Sequence, residues 1–385
     1  MNKSEIHKII VKFLNKEASS NELELLNNWL ETKKNHTVFN RLVKVEYLTT
    51  ACMSDYDLHK AKKNINKKLK KAEKVRRIAI YKKIAIAASF ALLLTLGFIH
   101  NNKKEIEVVN TTPIDIGSSK AILTLENGNQ VHLEKGKAYK SEKVSSNGEE
   151  LVYSETLLNK NTKKSPSYNY LAIPRGGEFF IKLVDGTKVW LNSESKIKYP
   201  TEFIKGETRI VELLYGEAYF EVSPSTNHNG DAFKVITKQQ EINVLGTEFN
   251  IKAYNNEDEI ATTLVNGSVQ VNSGNTKKTI KPNQQSIINN KNPNSIKVSE
   301  IDAMQEIAWV KGNFSFNEET LGDMMQVLSR WYNVEVVFET AERKNYVFTG
   351  ILERTKSIEN ILELIQATGE EDIKFNISKK TIIVK

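Results

Sequence analysis

Residue types that do chemistry are present in this chain, but not in the groupings that chemistry needs. The six histidines (His7, His36, His59, His100, His132 and His228) are scattered. None forms an HExxH or other i, i+4 pair that would put two imidazoles on one helix face for a metal. There is no GxSxG nucleophile turn and no phosphate loop. Arg175-Gly176-Gly177 has glycines and a cation but lacks the Lys-Ser/Thr ending a phosphate loop needs, so it reads as a structural turn. The neighbouring carboxylates Glu149-Glu150 and Glu370-Glu371 lie on polar, turn-like ground and read as solvated. A lone cysteine, Cys52, excludes an intramolecular disulfide and any cysteine-based zinc or iron–sulfur site. Trp190 offers a ring for stacking on a sugar, but beside Val189 and Leu191 it reads more simply as a core residue. No metal or cofactor is expected.

The elements that would position any site follow from composition. With 385 residues, 39% apolar and 26% charged, the chain reads as two or three folded domains. Its net charge of +8 is uneven. Residues 1–83 hold 20 Lys/Arg and 9 Asp/Glu, residues 84–99 hold none, and residues 100–385 hold 35 against 38. The uncharged run IAIAASFALLLTLGFI is slightly short of the ~20 apolar residues that span a bilayer. Lys82 and Lys83 flank it and can snorkel at the membrane surface. The 83 residues before it argue against a signal peptide, and a buried globular helix is the other reading. Twelve Lys/Arg between Lys60 and Lys83 put the N-terminal side in the cytoplasm and the C-terminal side across the membrane. A nucleic-acid-binding arm is the rival reading of that stretch; its contact with the apolar run favours the topological one, with no direct nucleic-acid partner.

Residues 1–83 read as an all-α head. Ile6, Ile9, Ile10, Phe13 and Leu14 keep to one helix face. Ser19 and Glu22 form a capping box, and Leu23, Leu26 and Leu30, with Leu25 and Trp29 beside them, mark the next helix. These apolar faces pack on one another or dock on a cytoplasmic protein; Phe13, Leu14, Leu23, Leu26, Trp29 and Leu30 are the docking candidates.

Residues 105–290 read as all-β and hairpin-rich, a sandwich or a stacked-hairpin barrel. Asn127-Gly128 and Asp185-Gly186 sit at the same place in two aligned nine-residue segments and predict type I′ turns. Further strands are expected at 210–214, 217–222, 233–236, 242–245 and 249–253. The polar stretch 141–167 reads as a long insertion or mobile loop. Residues 312–385 change period: strand, helix capped by Asn317, two strands, helix capped by Ser357, and a closing hairpin. This predicts an α+β domain with both helices on one face of a sheet. The expected division is therefore head 1–83, transmembrane helix 84–99, β lead-in 105–172, β domain 173–290, linker 291–311 and α+β domain 312–385.

IPRGGEFFIKLVDGTKVWLNSESKIKYP (residues 173–200), GEAYFEV (216–222) and VLGTEFNIKAY (244–254) closely resemble the FecR family of transmembrane anti-sigma regulators. Residues 13–42 resemble that family's cytoplasmic head, and residues 309–338 its additional C-terminal domain. The resemblance implies an inner-membrane, single-pass protein whose head sequesters an extracytoplasmic-function sigma factor. Its periplasmic part would receive a signal from the signalling domain of a TonB-dependent transducer, and an intramembrane protease would take part in release. Uptake genes for an iron carrier or a glycan would then be transcribed. The resemblance also marks Gly246-Thr247, within VLGT, as a bond some members cleave themselves; a turn or bulge at Gly246 is the plainer reading. The chain is otherwise not expected to be an enzyme. The alternative is an envelope structural or glycan-binding single-pass membrane protein sharing the β module.

Overall fold

A computed structural model describes residues 6, 9, 10, 19–30, 35, 39, 114–141, 144–153, 167–368 and 373–385. The chain divides into two units, Met1–Thr111 and Thr112–Lys385. In the first, helix α1 (Ser20–Leu30) begins at the expected capping box. The Ser19 N–H donates to Glu22 Oε2 at 2.9 Å, and the Glu22 N–H to Ser19 Oγ at 3.4 Å. Leu26 is buried with Ile6, Ile9 and Ile10, while Trp29, Leu30 and Phe39 close over them. The run 84–99, Lys82, Lys83, Phe13 and Leu14 lie outside the described residues. No described helix is long and apolar enough to cross a membrane.

The second unit begins with strands β1 (Ser118–Thr124), β2 (Gln130–Glu134), β3 (Tyr139–Lys140), β4 (Val144–Ser146), β5 (Glu150–Tyr153) and β6 (Tyr168–Ile173). Next come β7 (Gly177–Lys182), β8 (Lys188–Leu191), β9 (Ser195–Pro200), β10 (Arg209–Glu221), β11 (Phe233–Ile236) and β12 (Glu241–Val244). Then follow β13 (Glu248–Ala253), β14 (Glu259–Asn266), β15 (Val269–Ser273), β16 (Thr276–Ile280), β17 (Gln284–Asn289) and β18 (Asn292–Glu300). One sheet runs β2-β1-β6-β9-β10-β11-β12-β15-β16. The other runs β3-β4-β5-β7-β8-β10-β13-β14-β17-β18. Strand β10 belongs to both, passing between them at a bulge between Leu213 and Tyr215. Alternation sends Leu123, Leu171, Ile181, Val189, Phe220 and Phe249 into one shared core.

Several expectations change. The strands expected at 210–214 and 217–222 are one, β10 (Arg209–Glu221), because the bulge bends the chain without ending its pairing. At Asn127-Gly128 and Asp185-Gly186 only the glycine has positive φ, which excludes type I′ turns. The Asp185 Oδ1 accepts from the Thr187 N–H at 3.0 Å, an Asx contact that closes the turn with Asp185 at negative φ. Within 141–167, residues 144–153 are not a loop but the hairpin β4–β5, with Leu151 fully buried. The segment 291–311 is not an open linker. It holds β18, then α2 (Ala303–Glu306) and a 3₁₀ turn (Ala308–Lys311). Trp190 faces away from Val189 and Leu191, against Phe180 and Tyr219, where Ile307 and Trp309 gather over it.

The C-terminal module holds β19 (Asn313–Thr320), α3 (Leu321–Tyr332), β20 (Glu335–Phe338), β21 (Val347–Glu353), α4 (Ile358–Thr368), β22 (Phe375–Ser378) and β23 (Thr381–Val384). Its strands form two sheets rather than one, β19-β21 and β20-β23-β22. Helix α3 is capped by Thr320, not Asn317, with Thr320 Oγ1 accepting from the Asp323 N–H at 3.1 Å. A bulge after Phe316 prolongs β19 past Asn317 and moves the helix start three residues on. Ser357 Oγ accepts from the Asn360 N–H at 3.3 Å, at the start of α4 as expected.

Candidate functional site at the module junction

Three arginines fasten the C-terminal module to the β body. Arg175, in the turn between β6 and β7, donates from Nη2 to the Ser329 and Val334 carbonyls at 2.9 and 2.7 Å. Ser329 lies in the last turn of α3 and Val334 just beyond it, so the guanidinium sits at the helix's negative end, where a cation is favoured. Arg330, on α3, reaches the opposite way. It stacks 3.6 Å from the Tyr254 ring centre and donates to Asn256 Oδ1 at 3.1 Å and Glu257 Oε1 at 2.7 Å. Arg354, after β21, stacks 3.6 Å from the Trp331 ring centre and donates to the Trp309 carbonyl and Asn192 Oδ1. Only 3% of Arg330 and of Arg354 is exposed.

Between these anchors lies a cavity of about 120 Å³ whose lining includes Glu217, Lys252, Glu306, Trp309, Phe316 and Glu319. Glu217 is buried and accepts from Asn192 Nδ2 and Asn250 Nδ2 at 2.8 and 2.9 Å. Burial, then the charge of Glu217, raises the Glu306 pKa; burial likewise raises that of Glu319. Burial pulls Lys252 down, but Glu257 and Glu217 outweigh it and its pKa is raised. The Trp309 Nε1–H, also in this lining, is buried without a hydrogen-bond partner. The lining presents charged and polar groups to the cavity, and among the described residues no group of three or more His, Cys, Asp or Glu could hold a metal.

Gly246 and Thr247 stand elsewhere, between β12 and β13. Gly246 has φ 151°, and a Cβ there would lie 2.9 Å from Pro224 Cα, so glycine is required. Thr247 supplies the nitrogen of the Gly246-Thr247 peptide bond, and its Oγ1 is buried without a hydrogen-bond partner. Of the head residues singled out for docking, Leu26 is 3% exposed within the head's own core, Trp29 and Leu30 are half-buried, and Leu23 is 41% exposed. Leu25, 46% exposed, and Leu23 flank the buried stripe of α1 on either side. The junction arginines escaped sequence reasoning because the β-body groups they reach lie far along the chain, 73 residues for Arg330 and Glu257 and 162 for Arg354 and Asn192. The Arg175-Gly176-Gly177 turn was the one local signal.

Two family models match the chain: FecR protein over residues 170–270, and FecR, C-terminal over residues 313–384. Crystal structures at 1.65 and 2.50 Å of a candidate anti-sigma factor from Parabacteroides distasonis ATCC 8503 are similar to it. Each is 31% identical, covers 56% of this chain and 98% of its own, and superposes with a TM-score of 0.50. No curated protein matches the chain.

Proposed function

The chain belongs to the FecR family, and from that membership we propose that it is an anti-sigma factor acting across the inner membrane. The observation that carries the reading is the 31% identity to a candidate anti-sigma factor over 98% of that protein. In this reading the head holds an extracytoplasmic-function sigma factor in the cytoplasm, and the run 84–99 spans the membrane. The β body and C-terminal module face the periplasm and receive the signalling domain of a TonB-dependent transducer. The β19-β21 sheet supports such a contact. It has two strands, and β21 exposes Val347 and Ile351 to 59% and 67%, ground on which a partner strand can add. An intramembrane protease then frees the head.

The test is capture of the tagged full-length chain from its native host, followed by mass spectrometry. A stoichiometric sigma factor supports the reading; its absence from cells that express one turns weight to an envelope structural or glycan-binding role. Leu23 and Leu25 supply a sharper check. Exposed apolar side chains at an interface centre commonly cost 10- to 100-fold in affinity, as an order of magnitude, when removed. Leu23→Asp with Leu25→Asp should weaken sigma capture by about that factor while α1 stays folded, measured by titration calorimetry and circular dichroism. Leu26→Asp should instead unfold the head, because Leu26 is its core.

A second reading, self-cleavage at Gly246-Thr247, is supported by the φ of Gly246 and the unpartnered Thr247 hydroxyl. Thr247 Oγ attacks the Gly246 carbonyl carbon, the peptide C–N bond breaks as the nitrogen takes the hydroxyl proton, and water hydrolyses the resulting ester. The expected products are fragments 1–246 and 247–385. Thr247→Ala should leave one intact chain on long incubation, and Thr247→Ser should still divide; intact mass spectrometry reads both. An undivided wild-type chain removes this reading without touching the anti-sigma one.

A further inference from the structure

The segment that enters the β body is held by the other module. Ile114 is only 8% exposed and belongs to the apolar core of the C-terminal module with Phe314, Leu328 and Trp331. Three residues on, Gly117 lies against the Trp331 ring so closely that an added Cβ would sit 2.5 Å from ring carbons. Trp331 is itself pinned, its Nε1–H donating to the Arg354 carbonyl at 3.0 Å. Beyond Gly117 the chain joins the body. The Ser118 N–H donates to the Gly176 carbonyl at 3.1 Å, and the Gly176 N–H donates to the Arg330 carbonyl at 2.6 Å. Residues 114–117 belong to no strand, so apolar insertion rather than a hydrogen-bonded ladder holds them.

We propose that residues 114–117 are a releasable strap, docked in the C-terminal module by Ile114 and Gly117, through which that module controls the chain arriving from residue 113. The regulatory meaning rests on the anti-sigma reading; the strap itself does not. Only 14 residues separate Ile114 from the apolar run that ends at Ile99. Fully extended, they reach roughly 50 Å at most. A partner that displaces the Trp331 ring therefore acts directly on the chain arriving from residue 113. The strap's surface side fits this role. Asp115 and Ile116 point outward, so one apolar anchor and one ring face hold the whole segment.

The experiment is hydrogen–deuterium exchange on the full-length chain. In the wild type, peptides spanning 114–120 should be protected through the paired Ser118–Lys120 amides that the docked strap holds in place. Ile114→Asp and Gly117→Ala should each speed their exchange by about tenfold or more, while α4 and β13 keep wild-type protection. Ile116→Asp, on the outward side, should change nothing. Three results overturn the proposal: an unprotected strap in the wild type, equal loss of protection in Ile116→Asp, or loss of α4 protection together with the strap, which would make Ile114 an inseparable core residue. A sigma-dependent reporter measured on the same variants tests the anti-sigma reading separately, since exchange reports the strap whether or not a sigma factor is bound.

Discussion

Asp185→Ala should lower the stability of the second unit by about 3–5 kcal/mol, the cost of stranding a buried charge. Asp185 Oδ2 accepts from Arg209 Nη1 at 2.6 Å, and both side chains are nearly inaccessible, at 3% and 2%. Arg209 also donates from Nη2 to the Ser223 and Asp231 carbonyls at 3.1 Å each. It thereby gathers the β7–β8 turn, the start of β10 and the chain leaving β10 around one guanidinium. Without its carboxylate, that cation keeps two carbonyls but loses its countercharge where water cannot replace it. For a unit of this size the loss corresponds to a fall in Tm of about 10 °C, read by calorimetry. Asp185→Leu with Arg209→Met should cost less than Asp185→Ala alone, because removing both charges removes the desolvation penalty with them. Strict additivity of the two substitutions would show that the pair is solvated in solution. The same loss should loosen Pro224, which abuts Gly246, so any division at Gly246-Thr247 should slow in Asp185→Ala.

The second large effect is at the junction. Arg330→Ala with Arg354→Ala should separate one cooperative unfolding transition into two, with the C-terminal module melting first. Arg330 contributes a ring stack on Tyr254 and charge-assisted hydrogen bonds to the β body, while Arg354, stacked on Trp331 of its own module, bonds across to Asn192. Arg330→Ala also leaves Glu257, whose side chain is 17% exposed, without its 2.7 Å partner. Charge-assisted hydrogen bonds are worth about 1.5–3 kcal/mol each, and a desolvated cation–π contact about 2 kcal/mol, so the pair of substitutions removes most of what fastens the module. Differential scanning calorimetry distinguishes the outcomes. A single transition merely shifted downward would mean that the apolar contacts of Ile307, Trp309 and Ile114 suffice to keep module and body one cooperative unit.

Much of this architecture was legible because it is written in local spacing. Alternation placed the strands at 233–236 and 249–253, the capping box placed the start of α1, and Ser357 placed the start of α4. Each depends on groups a few residues apart, whose geometry the backbone sets. The resemblance carried by residues 173–200, 216–222 and 244–254 identified the family from the run of residues itself, with no need of the contacts those residues make. The errors have a shared origin as well. Residues 144–153 are polar enough to read as loop, yet β5 pairs in parallel with β7, and that distant partner buries Leu151. Asn317 has the chemistry of a helix cap, but pairing of β19 with β21 keeps it in a strand and hands the cap to Thr320.

By itself, then, the amino-acid sequence determined the hairpin-rich β body, the change of period near residue 312, the uneven charge about the run 84–99 and the family. Only the tertiary structure decided that Arg175, Arg330 and Arg354 meet across one junction, that Trp190 lies under Ile307 and Trp309, and that Ile114 belongs to a core built almost entirely by residues two hundred positions later. The physical reason is the range of the forces. Turn geometry, capping and alternation act over a few bonds. Burial of a guanidinium or an isoleucine depends on which distant surfaces the folded chain brings together.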